Sequence, residues 1–258
     1  MDILVCIKRV PVTGAKVTLT ADQQQIDASY LSFASGPHEE CAIEEAVQLA
    51  QKYAGTSTAL TLGPEGAVEQ LRYAASLGVD DLILLETAED WSPMPTARAI
   101  TAAVQAQEKP FDVLLFGNES ADSGGYQVGI RVAHALGLPV VTGVKKLEFA
   151  DGADGKPSMA TAHRQTVAGW ELYEVPLPAV FTVKEGINVP RYPSIPGKLR
   201  AKKKPIQRIT PEKSAEGLEK VRLVVPESQA SNVNILGNGP EAAPKVVDLL
   251  NELGLVTS

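Results

Sequence analysis

One rhythm constrains this 258-residue chain more than any other feature: short runs that are apolar at every position alternate with longer helical patterns. Residues 3–7 (ILVCI), 58–62 (TALTL), 82–85 (LILL) and 112–116 (DVLLF) read as strands. Residues 39–53 (EECAIEEAVQLAQKY), 65–77, 96–108 and a stretch ending near Leu136 read as helices, the first with an apolar face at Ala42, Ile43, Ala46, Val47, Leu49 and Ala50. Gly78 stands where a helix C-cap is expected, and Gly137 with Pro139 stops the last helix. A strand with one wet face alternates in polarity. Strands that are apolar throughout and separated by helices are covered on both sides, which means a parallel sheet. The fold class is therefore α/β, a doubly wound core whose strand order the pattern leaves open.

The rhythm breaks at Lys145. KKLEFA, SMATAHRQTV and GWELYEV, grouped around the turn DGADGKPS, read as antiparallel strands, and PAVFTV can rejoin the sheet. From about residue 205 the chain turns charged and poor in strand patterns, with one amphipathic helix expected over 241–253. The expected organisation is an α/β domain over 1–190, a basic segment over 191–204, and a C-terminal arm over 205–258 that needs something else to pack against.

The most informative stretch is DVLLFGNESADSGGYQVGIRVA, in which Gly117, Gly124, Gly125 and Gly129 surround a turn between a buried strand and a helix. Glycines there tolerate positive φ and let backbone N–H groups approach an anion, and the helix N-terminus adds partial positive charge. Ligands of open α/β sheets bind outside the carboxyl ends of the strands, where this loop lies. It contains no lysine, so it is not a triphosphate-binding GxxxxGK[ST] loop. The spacing alone fits a plain glycine-rich connector equally well. Gly63-Pro64 could border the same pocket or simply start a helix.

Catalytic constellations are missing. His38, His134 and His163 have no metal-ligand spacing, no serine occupies a GxSxG elbow, and Cys6 and Cys41 fall on core elements. The pairs Glu39/Glu40 and Glu44/Glu45 read as helix N-terminal and solvated-face charges. A net charge of −7 argues against general nucleic-acid binding. No apolar run approaches the roughly 20 residues of a membrane span, so no membrane insertion is expected. Met1 enters the first strand without a basic leader, and the cysteines read as reduced, so the expected compartment is cytoplasmic. The residues by themselves describe a nucleotide-binding module without chemistry of its own.

One segment stands against the acidity: NVPRYPSIPGKLRAKKKPI, with Arg191 followed by five cations between Lys198 and Lys204. Pro190, Pro193 and Pro196 restrict its backbone, and Ile195 lacks any periodicity that would carry it into a core. A solvated charge run is the bland alternative.

With those pieces placed, the chain resembles the beta subunits of electron transfer flavoproteins over nearly its full length. The resemblance is carried by ILVCIKRVP, GPHEECAIEEAV, the LGP turn after the second strand, GNESADSGGYQVG and INVPRYPSIPGKLRAKKKPI. It implies a Rossmann-like, mostly parallel sheet with an antiparallel extension, in a heterodimer whose alpha subunit holds a redox-active FAD and receives the C-terminal arm. It implies a nucleotide, AMP or in some relatives a second FAD, contacted by Cys6, the turn Gly36, Pro37, His38 and Glu39, and Leu62. Its phosphate would be held by Gly117, Asn118, Asp122, Ser123, Gly124, Gly125, Tyr126, Gln127 and Val128. The docking loop would be Arg191, Tyr192, Pro193, Ser194, Ile195 and Pro196, continuing to Arg200, with Ile195 at the tip where relatives often carry leucine. Flavin-dependent dehydrogenases such as acyl-CoA dehydrogenases would be donors, and an acceptor like the electron transfer flavoprotein-quinone oxidoreductase would take the electrons. Bifurcating relatives hold their own FAD and use NADH; the loop here lacks the DTAQVGP-like run associated with them, which favours AMP. Departures from the pattern include Gly36 in place of an asparagine and His38 in place of an aromatic. Adenine-nucleotide sensors of the universal-stress type are the competing class, disfavoured by the PRY–lysine segment and the long arm.

Overall fold

The computed structural model describes residues 1–258 except 13, 15, 16, 153–155, 216–219, 227–232 and 257–258. Its strands are β1 (Ile3–Cys6), β2 (Val10–Pro11), β3 (Phe33–Ala34), β4 (Ser57–Gly63), β5 (Asp81–Glu86), β6 (Val113–Gly117), β7 (Val140–Asp151), β8 (Pro157–Thr166), β9 (Gly169–Pro176), β10 (Ala179–Val183) and β11 (Gln207–Ile209). Its α-helices are α1 (Pro37–Lys52), α2 (Val68–Leu77), α3 (Pro93–Gln105), α4 (Val128–Leu136), α5 (Ile195–Lys203) and α6 (Ala243–Glu252).

Among the described residues nine strands form one sheet in the order β11-β5-β4-β1-β6-β10-β7-β8-β9. Pairing is parallel from β11 to β7 and antiparallel through β7, β8 and β9. The expected doubly wound parallel sheet with an antiparallel extension is what forms. The reason is visible in β1, whose four residues are all buried. Ile3 and Val5 pack toward Ile43, Val47 and Leu71 of α1 and α2, while Leu4 and Cys6 pack toward Ile100 and Val132 of α3 and α4. Successive side chains of a strand point to opposite faces, so a strand between two helical layers must be apolar at every position. Each fully buried Leu, Ile or Phe stabilises the fold by ~1.5–3 kcal/mol.

Local signals set the boundaries. Helix α1 begins with Pro37 and carries Glu39 and Glu40 in its first turn and Lys52 in its last, which suits the helix dipole. Helix α2 stops at Gly78, whose φ of +125° few side chains would tolerate.

Two expectations about the C-terminal third change. Residues 207–209 form β11, pairing in parallel with Ile83, Leu84 and Leu85 of β5, so the arm begins as an edge strand of the main sheet. Arg208 secures it by ion pairs to Glu65 and Glu86. Three residues carry too little pattern to be read as a strand without knowing that β5 offers an open edge. Beyond this point the Leu223 N–H donates to the Gln23 carbonyl at 2.8 Å, and the helix expected over 241–253 forms as α6, none of whose residues is buried. The tip of the turn at 153–155 and the arm residues 216–219 and 227–232 lie outside the described residues.

The basic segment is the second change. It is helical from Ile195, not a loop through to Arg200. Ser194 caps the helix by accepting from the Gly197 N–H at 3.1 Å, and Pro196 occupies its first turn, so the cap and proline signals outweigh a run of cations. No described helix is long and apolar enough to cross a membrane.

Candidate functional site

The chain runs β1, β4, β5 outward on one side, then returns to place β6 on the other side of β1. That reversal opens a crevice at the carboxyl ends of the strands, the position at which doubly wound folds bind ligands. A cleft of about 1440 Å³ lies there, bounded by Cys6 of β1, Leu62 of β4, Phe116 and Gly117 of β6, Thr182 of β10, Trp91 and the first turns of α3 and α4. That exceeds the 300–1,000 Å³ typical of small-molecule sites.

The loop from Gly117 to Gln127 is shaped by its own hydrogen bonds. Asn118 donates its N–H to the Val183 carbonyl at 2.9 Å, and the Thr182 hydroxyl donates to Asn118 Oδ1 at 2.9 Å. The Gly124 N–H reaches the Ser120 carbonyl at 2.9 Å, and Ser123 donates its N–H to Asp122 Oδ1 at 2.8 Å. Gly124 and Tyr126 have φ of +55° and +54°. For tyrosine this left-handed backbone is uncommon and marks a constrained loop. Helix α4 then starts without a side-chain cap and without an acid in its first turn, leaving its N-terminal donors free for a ligand. Gly129 lets that helix approach the sheet: a Cβ there would stand 2.9 Å from Thr182 Cγ2 and 3.2 Å from Phe116 Cγ.

Charge enters from two directions. Lys8, just past β1, reaches Asp122 Oδ2 at 2.6 Å. Burial pushes the Asp122 carboxyl up, and the hydrogen bond and charge of Lys8 outweigh this and hold it below the usual range. Glu39, on the first turn of α1, is only 3 % exposed, and its Oε2 has no hydrogen-bond partner. Burial, with Asp122 adding to it, raises its carboxyl to about 7 although its own backbone N–H opposes the shift. Trp91 Nε1 and Arg9 Nε are likewise buried without partners, the Arg9 guanidinium lying 3.4 Å above the Phe33 ring. Buried polar groups are nearly always paired, and four of the eight orphans among the described residues, Ser214 Oγ included, belong to residues lining this cleft.

Of the residues the resemblance implied for the nucleotide, Cys6, Glu39, Leu62, Gly117, Asn118, Asp122, Ser123, Gly125, Tyr126, Gln127 and Val128 line this cleft. Gly63 and Pro64 border it too. Gly36, Pro37, His38 and Gly124 are not in its lining. His38 Nδ1 accepts from the Glu185 N–H at 2.8 Å, and its Nε2 lies 3.5 Å from Glu119. Gly36 and Gly117 share one purpose: a Cβ would meet Glu39 at 2.5 Å from Oε2 and at 2.9 Å from Cδ respectively, so both glycines make room for that carboxyl. At Gly125 a Cβ would find ordinary contacts at 3.9 Å.

The acids of α1 overturn the expectation of a solvated face. Glu39, Glu44 and Glu45 are all buried, at 3 %, 2 % and 8 % exposure. For Glu44 and Glu45 the cause is the segment after β10, which crosses α1 and covers that face, whereas Glu39 is enclosed by Gly36 and Gly117 beside the cleft. Arg191 donates to both Glu44 oxygens, at 2.8 Å from Nε and 2.8 Å from Nη2, and Asn188 Nδ2 donates to Glu45 Oε2 at 2.9 Å. Beyond Arg191 the chain emerges. Tyr192 is 95 % and Ile195 78 % exposed, flanking Pro193 and Ser194. Trp91, Thr182, Lys8 and Arg9 line the cleft without having been singled out from sequence. Position just past the end of β1 was the available signal for Lys8 and Arg9, and position near the carboxyl end of a strand the signal for Thr182.

Comparison with known proteins adds an independent line. The model of the electron transfer flavoprotein domain matches residues 32–214. The chain is 33 % identical over 259 residues to an electron transfer flavoprotein subunit beta of Bacillus subtilis, covering 97 % of each. It is 31 % identical over 249 residues to one of Syntrophomonas wolfei, covering 96 % of this chain and 95 % of that one. To the mitochondrial subunit beta of Arabidopsis thaliana it is 31 % identical over 211 residues, covering 81 % and 82 %.

Proposed function

The chain belongs to the electron transfer flavoprotein family, as a beta-subunit-type member, and from that premise we propose that it is the nucleotide-holding, partner-docking half of a heterodimeric electron carrier. In this reading an alpha subunit carries the FAD that accepts and donates electrons, and this chain performs no substrate chemistry. Donors are flavin-dependent dehydrogenases such as acyl-CoA dehydrogenases, and the acceptor is a quinone-side oxidoreductase.

The observation that carries the nucleotide role is the crevice itself, with an uncapped α4 N-terminus and the orphaned Glu39 Oε2 and Trp91 Nε1 around it. AMP suits these groups. Its phosphate would take the donors of the 117–128 loop and α4, which favour an anion. Its hydroxyl or amino donors would satisfy Glu39, and its base or sugar oxygens and nitrogens would satisfy Trp91. Lys8 is neutralised by Asp122 and serves to fix the loop rather than to bind the phosphate. AMP would supply no redox chemistry; it would fill and rigidify the crevice.

A second reading places a second FAD in the cleft and makes the heterodimer a bifurcating, NADH-using complex. The size of the cleft favours it, since about 1440 Å³ is more than a mononucleotide needs. Purifying the heterodimer and counting bound nucleotides separates the two. One FAD and one AMP per heterodimer is the expected result; two FAD and no AMP would replace the first reading with the second, and an empty cleft would remove both.

A further inference from the structure

The segment that carries the exposed tip is fixed to the body at both ends, and the two fixings are of different kinds. Upstream, residues 188–191 are sewn onto one face of α1. Asn188 Nδ2 donates to the Cys41 carbonyl at 3.0 Å and to Glu45 at 2.9 Å. Arg191 grips Glu44 through Nε and Nη2, and its backbone N–H adds a bond to Glu44 Oε2 at 3.2 Å. Gln48 completes the carboxylate by donating to Oε1 at 2.7 Å. Burial pushes the Glu44 carboxyl up, yet the bonds from Arg191 and Gln48 hold it below the usual range. An ionised carboxylate this buried is tolerated only when paired and fully hydrogen-bonded.

Downstream, α5 lies on α2. A Cβ at Gly197 would come within 2.4 Å of the Ser76 carbonyl, so only glycine allows the two helices this close. Arg72 of α2 donates to the carbonyls of Ala201 and Lys204 at the end of α5, and Lys204 Nζ reaches the Val79 carbonyl at 2.8 Å. Between the two fixings stand Tyr192 and Ile195, exposed at 95 % and 78 %. Apolar side chains are held out in water there by a backbone with nowhere to retreat.

We propose that Glu44 and Arg191 are positioning residues for partner docking: their ion pair fixes the bend from which Tyr192 and Ile195 project, so that the tip meets a dehydrogenase already in its binding shape. The proposal rests on the docking role stated above. An unclamped segment would have to be ordered at each encounter, and ordering a mobile backbone subtracts from affinity. In the proposal the pair acts through the tip that it holds. Its effect is confined to how often the tip is competent, which lowers apparent affinity by the competent fraction and leaves the electron-transfer step alone.

The test uses the FAD-loaded heterodimer with Glu44→Gln, Arg191→Lys and Ile195→Ala, an acyl-CoA dehydrogenase with its acyl-CoA as donor, and amide hydrogen exchange over 188–195. Glu44→Gln keeps the shape and loses the charge, and Arg191→Lys keeps the charge and loses the fork. Both are expected to speed exchange in 188–195 and to raise the KM for the carrier about tenfold at unchanged kcat and unchanged dithionite reduction. Ile195→Ala is expected to raise KM with exchange unaltered. If exchange stays slow in both clamp variants, the clamp does not hold the segment and the proposal fails. If exchange rises while KM stays at the parent value, and Ile195→Ala still raises it, positioning is refuted and docking stands. If Ile195→Ala also leaves KM unchanged, the docking role falls and the proposal with it. Should Glu44→Gln not fold, Arg191→Lys alone decides the outcome.

Discussion

The first turn and the middle of helix α1 treat the same kind of side chain in opposite ways. In its middle, Glu44 is buried and saturated: Arg191 takes both oxygens and Gln48 supplements one of them. One and a half turns earlier, Glu39 is equally buried but its Oε2 has no partner, and it borders the cleft. A buried carboxylate matched by the chain's own cation is a structural joint. A buried carboxylate left incomplete beside an opening keeps an acceptor unused by the chain itself. The same helix therefore pairs one acid internally and leaves the other unpaired at the cleft, and their titration differs accordingly: Glu44 is held low, whereas Glu39 is raised to about 7.

The contrast can be broken most severely at Glu44. Glu44→Lys sets a second cation against Arg191 in a site only 2 % exposed, and an uncompensated buried charge costs ~3–5 kcal/mol. Urea denaturation measures it. A loss below about 1 kcal/mol would mean the pair is a surface contact, whose usual worth is that small.

Glu39 gives the next largest effect, with the opposite dependence on proton concentration. Its folded value of about 7 stands above the ordinary 4.5, so the neutral form is favoured in the fold. The stability this brings is fully present below about pH 4.5 and is lost as pH rises to about 7. The gap corresponds to a loss on the order of 3 kcal/mol. Denaturation of the nucleotide-free chain at pH 5 and pH 8 should show that loss, and Glu39→Gln should flatten it. Parallel pH profiles for parent and variant would place the ionisation elsewhere.

These acids also show where the sequence could be read and where it could not. The strands were legible because a doubly covered sheet demands apolar residues at every position, and residues 3–7 or 112–116 satisfy that alone. The loop after β6 was legible as a glycine-rich turn between a strand and a helix, although its spacing alone fits a plain connector equally well. The fate of Glu44 and Glu45 was hidden, since it depends on a segment some 150 residues later folding across α1. Nothing local distinguishes a glutamate facing water from one awaiting a distant arginine. Trp91 was missed for a similar reason: it lies just ahead of α3, and only the sheet order brings it over the crevice. The helix from Ile195 was obscured by its own cations, although Ser194 and Pro196 spelled out its start.

A smaller effect sharpens the joint itself. Asn188→Ala removes the donor to Glu45 and to the Cys41 carbonyl and should cost ~1–2 kcal/mol, the range for a hydrogen bond to a charged group in a half-covered place. Glu45, already raised by burial with Asn188 opposing the shift, should then titrate higher still. Carboxyl chemical shifts followed by NMR would register the move, and an unchanged Glu45 would show that Asn188 is not its principal partner.

The smallest effect belongs to the tip. Ile195→Ala should alter the stability of the isolated chain by less than ~0.5 kcal/mol, since the side chain is 78 % exposed. Thermal unfolding checks this, and a drop of several degrees would mean that the tip packs against its own body.

The position of β10 in the sheet has a consequence for how the molecule comes into being. Residues 179–183 pair with β6 on one side and β7 on the other, in the middle of the sheet. A ribosome has therefore delivered β1, β4, β5 and β6, and then the whole β7–β9 extension, before the strand joining the two halves appears. Until residue 183 has emerged, β6 presents an open apolar edge, and the contacts that close it span more than sixty residues. Such late, long-range parallel pairing is slow and exposes the nascent chain to misassociation. Stalling synthesis just before and just after residues 179–183 leave the exit tunnel should give, respectively, a protease-sensitive and a protease-resistant amino-terminal half.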